Sequence, residues 1–258
     1  MIESMNTQAQ KRLNILLIGD DCVDVYQYGT IERLSPEAPV PVFKLSHKEE
    51  RGGMARNVKV NLENLGCSVN YLCGETSVKT RLIDVKSKQH IVRIDNDAKC
   101  TPIEFATEIT SVYDAVVISD YEKGTIDYEV MEEIIEQSKH SSKYPVFIDT
   151  KKHDLARLQG AWVKVNQHEY AQLKSKPSGL IVTKGADGAS IIHQEIDCPT
   201  PLVEVVDVTG AGDTFLASLA YKYLLTKDIK AAVEFANKAA SVTVQHLGCY
   251  APRLEEIE

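Results

Sequence analysis

Six short apolar runs decide most of what this chain can fold into. LNILLIG (13–19), SVNYLCG (68–74), YDAVVIS (113–119), YPVFIDT (144–150), AWVKVN (161–166) and GLIVTKG (179–185) each read as a buried strand. Runs of this kind suit the interior of a parallel sheet whose two faces are both covered. Between them, segments 53–65, 126–139 and 167–174 carry apolar residues at helical spacing. The alternation predicts an α/β fold, a doubly wound, mostly parallel sheet with helices on both faces. Past residue 210 the pattern changes, and 211–225 and 229–245 read as two successive helices, the second rich in alanine and valine. No repeat, low-complexity tract or linker interrupts the chain, so residues 1–258 are expected to form one domain.

Two stretches break the alternation. Tyr26–Leu45 carries three prolines in SPEAPVP, and TRLIDVKSKQHIVRID (80–95) reads as a hairpin with Lys and Ser at its turn. Proline confines strands to edges. The two pieces, about 21–46 and 79–95, therefore read either as ordinary edge strands or as a small accessory sheet that covers a substrate.

Composition excludes several functions. A net charge of −8 argues against a nucleic-acid partner, which would meet a basic face. No apolar run approaches a membrane span. The first dozen residues, MIESMNTQAQKR, hold no apolar stretch of a secretory signal. Six cysteines without a C-x-x-C pair fit a reducing compartment, so a cytoplasmic location is expected.

The chemistry concentrates in DVTGAGDT (207–214). Gly210 and Gly212 permit a tight turn, and a helix follows. The N–H groups of Gly210, Ala211 and Gly212 would then face outward at a helix N-terminus, where free donors and the helix dipole favour an anion. Such a cradle suits the charge that builds up during phosphoryl transfer. Asp213 beside it reads in two ways, as a base that takes a proton from an attacking hydroxyl or as the helix N-cap. Lys79, Arg81 and Arg93 on the hairpin, and Lys123 at a strand end, read either as solvated side chains or as ligands of a phosphate on the substrate.

DVTGAGDT resembles the C-terminal motif of the ribokinase-like (PfkB) carbohydrate kinases. RGGMARN, with Gly52, Gly53 and Asn57, is similar to their di-glycine motif, and VNQHE, with Asn166 and Glu169, to their magnesium-positioning motif. Within the family, GDDCVDVYQYG, RLSPEAPVPVFK, SDYEKG and the ANKAASVTV…LG tail look like the heptose 7-phosphate kinases. The likeness spans roughly residues 13–253. It implies a ribokinase-like fold with a small β-sheet lid, ATP and Mg2+ as cofactors, and a homodimer built through the lid. It implies Asp213 as general base and Gly210, Ala211 and Gly212 as an anion hole. Asp207, Thr209, Thr183, Gly185 and Asn237 would lie along the nucleotide, Asn166 and Glu169 around Mg2+ through water, and Asp24, Gly53 and Asn57 on the sugar.

Two departures accompany the likeness. After Gly74 the family normally continues through a further helix and strand, whereas here ETSV leads straight to Lys79-Thr80-Arg81, so one βα unit is expected to be absent. Arg56 stands beside Asn57 where small residues are usual. No H-x-G-H nucleotidyl-transfer motif occurs, so one step is expected: phosphorylation of a sugar phosphate, heptose 7-phosphate to the 1,7-bisphosphate. The alternatives are a kinase for another sugar, or a catalytically weak binding or regulatory homologue.

Overall fold

The computed structural model describes residues 12–103, 112–139 and 144–258. The first eleven residues, and with them most of the stretch read for a secretory signal, lie outside the described part. The strands are β1 (Asn14–Leu34), β2 (Pro41–Met54), β3 (Ser68–Asp84), β4 (His90–Asn96), β5 (Ala115–Asp120), β6 (Val146–Thr150), β7 (Trp162–Asn166), β8 (Leu180–Thr183), β9 (Ala189–Ile191) and β10 (Ile196–Cys198). The helices are α1 (Ala55–Asn64), α2 (Tyr128–Gln137), α3 (Gln167–Ala171), α4 (Ala211–Thr226), α5 (Ile229–Thr243) and α6 (Leu254–Ile257). All ten strands join one sheet in the order β10-β9-β8-β7-β6-β5-β1-β3-β4, with β2 on β1. From β3 to β8 the neighbours run parallel, and the antiparallel pairs lie at the two ends and in β1–β2.

The expected doubly wound layers are present because the central strands bury both faces. Every residue of β5 and β6 is buried. Leu17, Val117 and Phe147 pack on one side with Val58 of α1 and the apolar residues of α4 and α5. Ile18, Ile118 and Ile148 pack on the other with Met131 and Ile134 of α2. At about 25 cal/mol per Å2 of apolar surface, each such side chain contributes roughly 1.5–3 kcal/mol of burial free energy.

The accessory strands form no separate sheet. β1 is 21 residues long, and only its first part, to Gly19, lies between β5 and β3. The rest continues outward and pairs with β2 on one side and β3 on the other. β3 continues through Gly74 as one strand, with a register shift against β1 between Cys73 and Thr76, from Ser68–Cys73 beside the central strands to Thr76–Asp84 in the lid, where β4 joins it antiparallel. Helix and strand are absent between the two halves of β3, so one extended strand bridges core and lid. Pro36 and Pro39 fall in the connection between β1 and β2, and Pro41 opens β2, where a missing N–H does least harm.

Candidate active site

The C-terminal ends of β5, β6, β7 and β8 and the start of α4 meet around one cleft, as expected for an open α/β sheet. α4 begins at Gly210, whose φ of 81° lies in the left-handed region. A Cβ there would also sit 2.7 Å from Asn57 Nδ2, so the turn needs glycine on both counts. No side chain caps this helix. Asp213 is therefore not its N-cap but its third residue, with the carboxylate turned into the cleft.

Asp213 is 5% exposed. Asn57 Nδ2 donates to its Oδ2 at 2.9 Å and the Tyr121 hydroxyl donates to its Oδ1 at 2.8 Å. Burial pushes its pKa up to about 6, the nearby Asp149 charge adds to the rise, and the two hydrogen bonds oppose it. Burial likewise drives the Tyr121 hydroxyl far above its ordinary value, so it stays a donor. The anion cradle is narrower than expected. The Ala211 N–H turns back onto the Val208 carbonyl at 3.3 Å, while the amides of Gly210 and Gly212 have no partner among the described residues.

Asp207 and Thr209 shape this loop from within. Asp207 Oδ1 accepts from the Thr209 amide at 2.9 Å and its hydroxyl at 2.7 Å, and Oδ2 accepts from the Gly248 amide at 2.8 Å. Burial opposes ionisation of Asp207, but these donors outweigh it and hold its pKa below the ordinary value.

Two cavities flank the loop. One, of about 210 Å3, is largely apolar and is lined by Thr183, Gly185, Leu202, Val205, Phe215 and Asn237 among others. Asn237 spends its amide on the Cys198 carbonyl at 2.8 Å and the Pro199 carbonyl at 3.3 Å, so it anchors the cavity wall. The other, of about 840 Å3, is more polar than the first and runs from Asp213 and Gly210 past Asp149, Lys151, Lys164 and Asn166 to Thr183 and Gly185. Asn166 and Glu169 form a reciprocal cap on α3: Asn166 Oδ1 accepts from the Glu169 amide at 2.9 Å and Glu169 Oε2 from the Asn166 amide at 2.7 Å. The other Glu169 oxygen pairs with Lys151.

Sequence reading missed Tyr121, Asp149 and Lys164. Lys164 Nζ lies 2.7 Å from Asp149 Oδ2 with both side chains 5% exposed, and a Cβ at Gly212 would meet that nitrogen at 2.9 Å. Asp149 Oδ1 is buried without a hydrogen-bond partner. A polar residue ending an apolar strand was the available signal, present in both YPVFIDT and AWVKVN. Among the described residues no group of three His, Cys, Asp or Glu side chains could by itself hold a metal.

Where β1 and β2 leave the core, Asp24 lies against Gly53, where a Cβ would strike its carboxylate, and pairs with Arg81. Asn57 spends its side-chain amide on Asp213. The turn that leads into α1 bends at Met54, with φ 53° and ψ −136°, a backbone that glycine adopts far more readily. Arg56 turns to Asp21, its Nε donating to Oδ1 at 2.9 Å. Lys123 pairs with Asp97 at 2.8 Å, and Arg93 forks onto Asp95 at 2.8 and 2.9 Å. Lys79 has no carboxylate partner among the described residues.

The sequence and the fold both have known relatives. The pfkB family of carbohydrate kinases matches residues 74–257. The bifunctional protein HldE of Helicobacter acinonychis is 33% identical over 305 residues, covering 94% of this chain and 65% of its own length. HldE of Nitratiruptor sp. is 34% identical over 303 residues, covering 95% and 64%. The chain thus spans just under two thirds of the length of these relatives. Because those alignments exceed its 258 residues, several dozen positions of each relative face no residue here. Arabidopsis thaliana ribokinase, solved with ribose and ATP, superposes with a TM-score of 0.71 at 19% identity, covering 95% of this chain and 97% of that one. The fold is ribokinase-like, and the family match begins at Gly74, where the strand runs straight on into the lid. The match over residues 74–257 makes the chain a member of the pfkB family of carbohydrate kinases, and a buried carboxylate beside a glycine turn at a helix start is in keeping with it.

Proposed function

We propose that this kinase phosphorylates a sugar phosphate, heptose 7-phosphate, on its anomeric hydroxyl to give the 1,7-bisphosphate. The carrying observation is Asp213, buried at the start of α4 between two donors and beside unspent backbone amides. Its raised pKa matches the task of a base near neutrality. Asp213 takes the proton of the acceptor hydroxyl while that oxygen bonds to the γ-phosphorus and the bond to ADP breaks. Asn57 and Tyr121 hold the carboxylate in place, and Gly210 and Gly212 donate to the phosphoryl oxygens. The apolar cavity at Thr183, Gly185 and Asn237 takes the adenine, and Lys151 and Lys164 lie along the phosphates. Asp24, Gly53 and Asn57 contact the sugar. The choice of heptose rests on the RLSPEAPVPV and GDDCVDVYQYG likeness and on similarity to the HldE proteins.

The residues present fit Mg2+, which keeps several waters and takes one or two carboxylates. Asp149 offers its unpartnered Oδ1, whereas Asn166 and Glu169 would reach the ion through water, since Asn166 Oδ1 caps α3 and the Glu169 oxygens meet the Asn166 amide and Lys151. When bound, the ion neutralises charge on the phosphate oxygens.

An ATP-consumption assay with sugar 7-phosphates and unphosphorylated sugars side by side tests this reading. Turnover with a heptose 7-phosphate is expected, lost by a thousandfold or so in Asp213→Ala while ATP still binds. Turnover only with another sugar overturns the heptose assignment. The absence of several dozen family positions favours one competitor, a homologue that binds without turning over. Tight ligand binding with no turnover for any sugar would establish that instead.

A further inference from the structure

Strand pairing sets register partners on the same side of a sheet, and on the lid's inner face this builds a grid. One row reads Glu49 on β2, Tyr26 on β1, Arg81 on β3 and Arg93 on β4. The row nearer the core reads Arg51, Asp24, Lys79 and Asp95. Four cations thus share a face with three carboxylates, and Arg81 stands directly opposite Arg93. Like charges so placed destabilise a sheet, unless negative charge lies against them.

Arg51 was not singled out by sequence, yet it occupies the most connected place in this grid. Its guanidinium and that of Arg81 each lie 5.2 Å from the centre of the Tyr26 ring. Arg51 meets a carboxylate through one nitrogen only, Nη2 on Glu49 at 3.2 Å, and its Nη1 donates to the Leu247 carbonyl at 2.9 Å. Its Nε has no partner among the described residues, whereas the Arg93 fork is already filled by Asp95 and Lys123 is held by Asp97. Next to Leu247, the Gly248 amide donates to Asp207, which shapes the catalytic loop, and Cys249 follows, its sulfur 3.3 Å from where a Gly210 Cβ would stand. Arg51 therefore lies where the lid, the acceptor side and the loop converge. Arg81 meets Asp24 through Nη1 alone, unlike the bidentate Arg93, so two forks that each keep a donor without a partner among the described residues stand side by side, an arrangement that suits a phosphomonoester.

We propose that Arg51, together with Arg81 beside Tyr26, binds the phosphate at the far end of a sugar-phosphate acceptor, and that Arg51 sets the preference for phosphorylated over unphosphorylated sugars. This rests on the proposed sugar-phosphate kinase reading. The test compares the full-length chain with Arg51→Gln and Arg51→Lys. In Arg51→Gln the KM for the phosphorylated acceptor should rise roughly ten- to a hundredfold, with the KM for ATP and any turnover of the unphosphorylated sugar unchanged. Arg51→Lys should recover part of the loss. An equal loss for both acceptors, or no loss, overturns the proposal. A second measurement does not depend on finding the sugar: with a non-hydrolysable ATP analogue saturating the nucleotide side, inorganic phosphate should raise the melting temperature of the wild type but not of Arg51→Gln. If phosphate protects both equally, or neither, the subsite is wrong. If it protects only the wild type while no sugar is turned over, the subsite stands and the kinase reading falls.

Discussion

Asp213 bears two opposed demands, and both are measurable. As a base it must be ionised, so kcat/KM should fall as the pH drops through about 6, where its carboxylate takes up a proton. Stability should move the other way. A carboxyl whose folded pKa lies above its unfolded one binds the proton more tightly when folded, so its protonated form favours the fold and the advantage is lost as pH rises from about 4 to 6. At pH 7 the buried charge is then a net cost of about 2–3 kcal/mol, on a scale of about 1.4 kcal/mol per pH unit. Asp213→Asn should raise stability by about that much at pH 7 and by little at pH 4, while removing activity. Urea unfolding at the two pH values checks it, and equal effects at both would refute the assignment. Met54, held at positive φ beside the same site, is a second residue whose backbone cost is accepted at the entry to α1.

The elements around the cleft are pinned by pairs between neighbouring strands. Lys164 on β7 stands opposite Asp149 on β6, and the buried ion pair joins the two strand ends beneath the start of α4. Removing one partner strands the other charge away from water. Lys164→Met should therefore destabilise by about 3–5 kcal/mol at neutral pH, and Lys164→Met with Asp149→Leu should recover much of it. Thermal or urea denaturation of the single and double variants reads this directly, and a mild single-variant effect would show that the pair is solvated. Lys151 belongs to the same set: burial acts against its ammonium, but Asp149 and Glu169 outweigh that and raise its pKa. Two long strands, β1 and β3, run from the core into the lid with one register shift between Gly19 and Asp21, so the lid is tied to the core by backbone pairing rather than by a loop.

Across the whole molecule, apolar side chains are exposed on the lid. Val92 and Ile94 on β4 are 46% and 55% exposed, opposite Leu82 and Thr80 on the face away from the cleft, and Leu45 on β2 is 53% exposed. Covering such a face with a second copy would bury it, and sheets with open edges commonly pair about a two-fold axis. Analytical ultracentrifugation at micromolar concentration should show a dimer, which Ile94→Lys with Val92→Lys should dissociate. A monomeric wild type would refute it. No described helix is long and apolar enough to cross a membrane.

Sequence sufficed wherever the information is local. Continuous apolar runs specified the buried parallel strands, because alternation is lost when both faces are covered. DVTGAGDT specified a glycine turn ahead of a helix, because Gly210 is needed for the backbone itself. The tertiary structure decided what depends on distant contacts. Asp213 is no cap because Asn57 and Tyr121, 156 and 92 residues away in the chain, hold its carboxylate. The accessory strands proved to be the outer half of the main sheet because, with a βα unit absent, β3 runs on unbroken. Arg51 joined Arg81 only through strand register. A side chain's identity is written in the chain, but its charge state and its neighbours are set by burial and pairing, which only the folded molecule supplies.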